Sequence, residues 1–371
     1  MHSESRRDFL KRLGAFTAVL LSGGDTLRSF AREQERPFEF LVVGDSVIWG
    51  QGLAEKDKFY ALTAEWLRKE GLGSPREVNL NVNSHSGSTL KFHADEAEKY
   101  KKVGRDETFY YKPEINVAFP SIWKQIEVAA DEYKQQGIVG GADLIMLTGG
   151  ITDMTVSKVL DPYGDNRKLT PLIEKYLRDD MFDVIEHAAK LNPNAKIAVV
   201  GYFPMLSPKS SKSRMFNGWL ESLSVPRFLK PFANNPIIRP LFFNRLGNKG
   251  IERSRIWLRE SNRCILEAVD KLNAKFSTPR AVFIESPITE ETCLETPNTL
   301  LFRMHKNGAV EDPLYRERTA QCREALPKLK KETKIDYPVR LCEIAAVGHP
   351  NPAGSKAYAT VITEKLKTFV K

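Results

Sequence analysis

The stretch FEFLVVGDSVIWG, residues 38–50, decides the fold class of this chain. Its first seven residues are mostly apolar and end at Gly44, which is typical of a strand buried inside a parallel sheet. Asp45 and Ser46 follow where the chain leaves the sheet. Side chains just beyond the carboxyl end of such a strand face the crevice where α/β proteins bind ligands. The stretch therefore predicts a first strand with two polar side chains at a ligand-binding edge.

Further strands are expected along the chain, separated by helical patterns. The predicted strands are residues 77–87, 142–150, 195–203 and 280–286. Strands that alternate with helices predict a mostly parallel sheet with helices on both faces. We therefore expect an α/β fold, a three-layer α/β/α sandwich with a flavodoxin-like, doubly wound parallel sheet of about five strands.

Three helices can be placed from caps and periodicity. Asp57 is expected to cap one helix, Pro120 to open a second, and the segment after His349 to form the last. The predicted inward faces are Phe59, Leu62, Trp66 and Leu67 in the first helix, Trp123, Ile126, Ala130 and Tyr133 in the second, and Tyr358, Val361, Ile362, Leu366 and Phe369 in the last.

The first 31 residues have the pattern of an export signal. Arg6 and Arg7 precede an apolar run from Leu13 to Leu21, and a small-x-small site ends at Ala31. The string SRRDFLK matches a twin-arginine signal, so we expect the twin-arginine translocase as a partner and a periplasmic or secreted protein. The alternative is a basic amphipathic helix. The mature domain is then 32–371, in which no run is long enough to span a membrane.

An insertion at 204–250 interrupts the rhythm of strands and helices. It contains many prolines and aromatic residues, and its eight basic residues against one acid give a net charge of +7. This segment accounts for the whole charge excess of the mature chain. It predicts either a lid or surface-docking element at the ligand edge, or a solvated connection held by its aromatic residues.

The remaining composition argues against several classes of protein. Cys264, Cys293, Cys322 and Cys342 form no CxxC pair, so we expect no zinc site. We likewise expect no other metal and no cofactor. Up to two disulfides in any of three connectivities are compatible with an exported protein, and free buried thiols are the alternative. No segment resembles a nucleic-acid module. The turn after the first strand also lacks the glycine pattern of nucleotide-binding α/β proteins.

Ser46 is either a catalytic nucleophile or an ordinary turn serine, and His349 helps to separate these two interpretations. A Gly-Asp-Ser turn is common, so by itself it indicates little about chemistry. His349, however, lies in GHPNPAG, just before the last helix. A serine hydroxyl becomes a good nucleophile when a base removes its proton. The first strand and the last loop can meet at one edge of the sheet, where Ser46 and His349 would form such a pair.

With these residues in place, the chain resembles the SGNH/GDSL family of serine esterases and lipases over roughly residues 38–371. The resemblance implies that Ser46 is the nucleophile, His349 the base and Gly87 an oxyanion donor with the Ser46 amide. It implies an exported hydrolase of acyl esters, with a lipid or acylated polysaccharide substrate, at an anionic surface if the basic insertion docks there.

Two positions depart from the family pattern. Thr152 stands where the family has an oxyanion asparagine, and a threonine hydroxyl reaches less far than an amide. Ala346 stands where the family has the acid that orients the histidine. A backbone carbonyl or Glu343 is the candidate replacement, which predicts a Ser-His dyad or an atypical triad. The alternative function is a non-hydrolytic binding or acyl-transferring relative of the same fold.

Three further side chains are candidates for lining the pocket. Asp45 is expected to be mainly a turn former, and Asp153 a helix cap. His85 lies two residues before Gly87, close enough to line the pocket, although most histidines in such places are structural.

Overall fold

Five parallel strands form the centre of the molecule. The computed structural model describes residues 36–94, 98, 101–102, 104, 115, 120–211, 238–305, 308–334 and 336–370. The strands are β1 (Phe38–Gly44), β2 (Val78–Val82), β3 (Leu144–Thr148), β4 (Lys196–Val200) and β5 (Ala281–Ile284). Their order is β2-β1-β3-β4-β5, and every neighbouring pair is parallel. The predicted flavodoxin-like sheet is thus confirmed.

The central strands supply the core of the sheet. Every residue of β1 and β3 is buried, because helices cover both faces. Gly44 pairs with Thr148, so the carboxyl ends of β1 and β3 lie side by side. Four observed strands are shorter than predicted, because the residues at their predicted ends lie in turns and loops. The largest excess is at 77–87, where β2 ends at Val82 and the rest forms a loop.

Helices flank this sheet on both sides. They are α1 (Ser46–Trp49), α2 (Phe59–Trp66), α3 (Ile122–Gln135), α4 (Ile151–Met154), α5 (Val156–Val159), α6 (Asn166–Ile173), α7 (Met181–Leu191), α8 (Ile238–Asn273), α9 (Tyr315–Thr333), α10 (Val339–Glu343) and α11 (Pro352–Phe369). Helices α3, α7 and α8 pack in succession along one layer, and α2 packs against α11 in the other. The three-layer arrangement therefore places the ends of β1 and β3 between helical walls.

Some helix predictions were wrong in detail. Asp57 does not cap α2, because it lies in the preceding turn and Lys58 occupies the cap position. Helix α3 is capped by Ser121, whose hydroxyl accepts a hydrogen bond from the Lys124 amide. Its buried face is Ile122, Gln125, Ile126, Ala129 and Tyr133, so the predicted Trp123 and Ala130 lie at its margins. Tyr358, Ile362 and Leu366 of α11 are buried as expected.

Part of the predicted insertion and the predicted signal lie outside the described residues. Residues 1–35 and 212–237 are not described. The last part of the segment 204–250 is helical, because α8 begins at Ile238. Within the described parts of the chain, no helix is both long enough and apolar enough to cross a membrane.

One disulfide joins two helices near the carboxyl end of the chain. Cys322 of α9 is bonded to Cys342 of α10, whereas Cys264 and Cys293 are free, buried thiols. One of the two possible disulfides is thus present. A small apolar cluster of Cys322, Leu326, Leu329 and Cys342 surrounds the bond, so α9 and α10 are held both covalently and by packing.

Candidate active site

Ser46 lies directly beyond the first strand, as the sequence predicts. Gly44 has no room for a side chain, since a Cβ there would lie 2.5 Å from the Thr148 carbonyl oxygen. Asp45 then caps α1 by accepting a hydrogen bond from the Val47 amide at 3.0 Å. Ser46 is the first residue of α1 and is half-buried. Its amide has no acceptor inside the helix, so it is available to a ligand.

The last loop brings His349 to this serine. Ser46 Oγ and His349 Nε2 are 2.7 Å apart, although 303 residues separate them in sequence. The Phe302 amide donates to the His349 carbonyl at 2.8 Å, and Asn351 caps α11 immediately afterwards. Both sides of the histidine are therefore anchored, and the geometry is that of a hydroxyl paired with a base.

Burial keeps the His349 imidazole neutral. Burial and, to a smaller extent, the nearby Arg318 cation together lower the pKa of this side chain to about 4. The backbone groups of Ala345, Ala346 and Val347 partly oppose the shift. His349 Nδ1 is buried and makes no hydrogen bond to any residue that the structure describes. The ring is thus an uncharged base at neutral pH, without an orienting carboxylate among those residues.

Glu343 is not placed to orient His349. Its Oε1 accepts a hydrogen bond from Arg323 Nε at 2.7 Å, and its Oε2 lies 3.4 Å from Arg340 Nη1. Both oxygens are thus directed to arginines of α9 and α10. The loop does not fold back as that candidate role required, because these two ion pairs hold the carboxylate at the end of α10.

A fully buried ion pair lies behind the base. The Arg318 guanidinium binds both Asp312 oxygens, at 2.9 and 2.6 Å, and donates through Nε to the Glu343 carbonyl at 3.0 Å. Both side chains have 0% exposure. A buried pair of this kind is satisfied when each charged atom has a partner. The guanidinium is therefore a fixed cation whose field reaches the imidazole.

Gly87 lies in a tight turn beside β1. Its φ of 89° falls in the left-handed region that favours glycine, and the Ser88 amide closes the turn on the His85 carbonyl at 3.2 Å. The His85 amide donates to the Gly44 carbonyl at 3.0 Å. The loop that carries Gly87 is thus bonded directly to the strand end that carries Ser46.

His85 and Asp153 serve as supports near the pocket. The buried His85 ring lies against Trp49 of α1, with ring centroids 6.1 Å apart. Asp153 accepts hydrogen bonds from the Leu90 amide at 3.0 and 3.3 Å and lies 3.6 Å from His93 Nε2. It lies inside α4 and does not cap it, so the expectation of a cap was wrong. Burial raises the pKa of its carboxyl group.

Thr152 is the second residue of α4, directly after the carboxyl end of β3. Its side chain is half-buried. Because β3 pairs with β1 up to Gly44 and Thr148, this short helix starts at the same sheet edge as Ser46. The hydroxyl therefore belongs to the edge where an oxyanion donor would be needed.

Asp45 anchors a buried polar network at the carboxyl ends of three strands. Its carboxylate accepts hydrogen bonds from Thr148 Oγ1 at 2.7 Å and from the Tyr202 hydroxyl, which itself accepts from the Ile151 amide at 3.2 Å. Burial raises the pKa values of both Asp45 and Tyr202. The network ties the ends of β1, β3 and β4 together, a role beyond the turn former that the sequence predicts.

Sequence reasoning missed four residues around the site. Tyr202 follows β4 at the edge that carries Ser46, and this position alone could have marked it. Gln125 is a polar residue inside the apolar face of α3, which was a detectable exception to the pattern. The Asp312–Arg318 pair had no signal in the sequence, since only folding buries it.

The described residues contain no group of three or more histidine, cysteine, aspartate or glutamate side chains arranged to hold a metal ion.

Comparison with known proteins gives likeness in structure alone. No family model matches the chain, and no curated protein does. The extracellular lipase of Streptomyces rimosus is 12% identical, covering 88% of this chain and 99% of the lipase, with a TM-score of 0.46. Phospholipase A1 of Streptomyces albidoflavus is 11% identical, with 89% and 99% coverage and a TM-score of 0.41.

A third structure with a similar fold is a family two carbohydrate esterase from Clostridium thermocellum in complex with cellohexaose. It is 13% identical, with 90% of this chain and 65% of the esterase covered and a TM-score of 0.38. Since all three TM-scores are below 0.5, the case for a function rests on the geometry of the site.

Proposed function

We propose that this protein is an exported serine ester hydrolase of the SGNH/GDSL type. The observation that carries the proposal is the 2.7 Å contact between Ser46 Oγ and His349 Nε2 at the carboxyl edge of the sheet. Burial supports it further, because the low pKa of His349 leaves Nε2 free to accept a proton at neutral pH. A turn serine would need no such partner.

The reaction then proceeds in two acyl-transfer steps. His349 Nε2 takes the Ser46 proton as the hydroxyl oxygen attacks the ester carbonyl, and a tetrahedral oxyanion forms. The imidazolium gives this proton to the leaving alcohol, which departs and leaves an acyl-serine. Water, deprotonated by the same nitrogen, then attacks the acyl group, and the imidazolium returns this proton to the serine oxygen as the carboxylic acid is released.

The oxyanion is held by the amides of Ser46 and Gly87, with the Thr152 hydroxyl as a third donor. The Ser46 amide is suited to this role because it lies at the first position of a helix. The Gly87 amide is suited because the hydrogen bond from the His85 amide to the Gly44 carbonyl holds its loop beside β1. We take the backbone carbonyl groups of Ala345, Ala346 and Val347 as the candidate acceptors that orient Nδ1, because they partly oppose the fall in the His349 pKa. Hydrogen bonds of this kind often tighten when substrate binds.

The proposed substrate class is an acyl ester in a lipid or an acylated polysaccharide. The basic, aromatic segment 204–250 supports an anionic surface as the place of action, since its net charge is +7. The segment begins just after Tyr202, which follows β4 at the edge that carries Ser46, and this position of its first residues supports a role near the site. Export through the twin-arginine translocase, to the periplasm or beyond, is part of the same proposal.

A fluorophosphonate probe and Ser46→Ala test the nucleophile. We expect the probe to label Ser46 in the wild type, and Ser46→Ala to lower p-nitrophenyl acetate hydrolysis about 10³-fold or more, because no other group forms the acyl intermediate. Ser261→Ala is the matched control, since Ser261 is a buried serine of α8 bonded only locally, to the Leu258 carbonyl. Unlabelled Ser46 together with unchanged hydrolysis in Ser46→Ala contradicts the proposal.

The alternative is a binding or acyl-transferring protein of the same fold. The observation that favours it is His349 Nδ1, which lacks a carboxylate partner among the described residues. Probe labelling of Ser46 with transfer of the acyl group from an ester to an added alcohol, but without hydrolysis of any ester, would support this second function.

A further inference from the structure

Gln125 is a polar residue in the middle of an apolar helix face. It has 0% exposure and lies on α3 among the buried side chains Ile122, Ile126 and Ala129, against β1. Burying a carboxamide costs free energy unless its donors and acceptor are bonded. The partners of this amide therefore show what its burial achieves.

All the partners lie on the segments around the proposed catalytic centre. Gln125 Oε1 accepts a hydrogen bond from the Gly44 amide at 2.7 Å, and Nε2 lies 3.1 Å from the Gly44 carbonyl oxygen. Nε2 also lies 2.9 Å from Ser88 Oγ and 3.1 Å from the Pro120 carbonyl oxygen. The Gly44 amide can only donate, so it assigns the carboxamide orientation.

Ser88 completes the connection. Its hydroxyl donates to the Pro120 carbonyl at 2.7 Å, so its oxygen is left to accept from Gln125 Nε2. Ser88 is itself fully buried. One side chain thus joins the end of β1 to the loop after β2 and to Pro120, the residue before the cap of α3.

The two joined segments carry the two backbone donors of the proposed oxyanion hole. Ser46 lies two residues after Gly44, and Gly87 lies directly before Ser88. We infer that Gln125 is a positioning residue, which holds the amides of Ser46 and Gly87 at the spacing that the tetrahedral oxyanion requires. The inference rests on the proposed hydrolase function, and Gln125 itself touches neither the substrate nor the reacting atoms.

Small displacements are expected to matter at this place. Oxyanion donors act at about 2.7–3.1 Å from the developing charge, and a misplacement of about 1 Å costs on the order of 100-fold in rate. The His85 amide also bonds the Gly44 carbonyl at 3.0 Å, so the two segments stay associated without Gln125. Loss of Gln125 should therefore loosen the spacing of the donors without dissolving the site.

Gln125→Met is the direct test, because methionine has a similar volume but lacks both the carbonyl acceptor and the NH₂ donor of the carboxamide. Activity on p-nitrophenyl acetate is divided by the concentration of active sites, titrated with a fluorophosphonate. We expect kcat to fall about 10- to 100-fold with KM within about twofold. A trifluoromethyl ketone, whose serine adduct bears an oxyanion, should bind more weakly by the same factor, whereas a product alcohol should bind equally well.

Asn192→Leu is the matched control. Asn192 is also a buried amide with 0% exposure, and it bonds the Ala142 amide at 2.9 Å and the Ala188 carbonyl at 3.2 Å, at the opposite end of the sheet. We expect it to lower stability while kcat per active site stays within about twofold. Ser88→Ala should lower kcat less than Gln125→Met, and the double variant should resemble Gln125→Met alone.

The outcomes separate this inference from the proposed function. An active wild type whose kcat and ketone affinity are unchanged in Gln125→Met overturns the positioning role and leaves the hydrolase intact. If Gln125→Met does not fold, unchanged kcat in both Gln125→Glu and Ser88→Ala overturns it equally. A wild type that is neither labelled nor active contradicts the hydrolase and this inference together.

Discussion

At the scale of single residues, burial decides the chemistry of the candidate site. Burial disfavours the charged forms of both His349 and Asp45, so it moves each side chain toward its neutral form. For His349 the neutral form is the active base. For Asp45 the bonds from Val47, Thr148 and Tyr202 use the carboxyl group as a structural anchor.

The pH profile should report His349. Its pKa is about 4, below the usual 6.5 of a histidine, and the protonated ring cannot accept the serine proton. We therefore expect kcat/KM for a neutral ester to rise through pH about 4 and to be flat from about pH 6 upward. His187→Gln serves as control, since burial lowers the pKa of His187 too, but that ring stacks on Trp123. A midpoint near 6.5 would contradict the assignment.

Thr152 can be tested as an oxyanion donor by replacement in both directions. Thr152→Ala should lower kcat by up to about 10²-fold if the hydroxyl bonds the oxyanion, and Thr152→Asn should retain or raise kcat because an amide also donates. Thr63→Ala is a control, because Thr63 bonds the Phe59 carbonyl inside α2. Equal kcat in the wild type and Thr152→Ala would leave the backbone amides as the whole oxyanion hole.

At the scale of elements, α9 and α10 act as a brace for the loop of the base. Arg318 and Arg323 of α9 bond the carbonyl and the carboxylate of Glu343, the last residue of α10. The Cys322–Cys342 disulfide joins the same two helices. His349 follows six residues after Glu343, so these links limit where the loop can lie. These links therefore restrain the position of the His349 loop, although Ala346 stands where the family pattern has its orienting acid.

Removing the disulfide should weaken this brace. The bond closes a loop with a sequence separation of 20, and we expect Cys322→Ala/Cys342→Ala to lower the free energy of unfolding by about 2–4 kcal/mol. Urea unfolding with and without dithiothreitol measures the effect. Cys264→Ala is the control, since Cys264 is a free thiol and this variant should keep its response to the reductant. Identical unfolding curves for oxidised and reduced protein would contradict a stabilising disulfide.

At the scale of the whole molecule, the disulfide agrees with the proposed export of the protein. A disulfide is typical of proteins that work outside the cytosol. Arg6→Lys/Arg7→Lys should therefore retain the protein in the cytoplasm, because a receptor reads the twin arginines as an address. Cell fractionation with fluorophosphonate labelling measures this, and Arg28→Lys is the control. Export of the double variant at the wild-type level would contradict the twin-arginine route.

The sequence predicted more of the sheet than of the site's supports. All five strands were found because four are short apolar runs and β2 alternates apolar and polar residues, and helical patterns lie between them. Helix α8 was missed, since it begins inside a segment interpreted as an insertion. Glu343 was a reasonable candidate by distance along the chain, but two arginines outside the local pattern hold it elsewhere.

The sequence alone determined the set of strands, their parallel arrangement and the candidate pair Ser46 and His349. These follow from local periodicity, turns and short motifs, which are properties of neighbouring residues. Only the tertiary structure decided the 2.7 Å contact of that pair, the burial that keeps His349 neutral, and the bonds of Gln125, Tyr202 and Arg318. Such contacts join residues far apart in the chain, and desolvation exists only after the chain has packed around them.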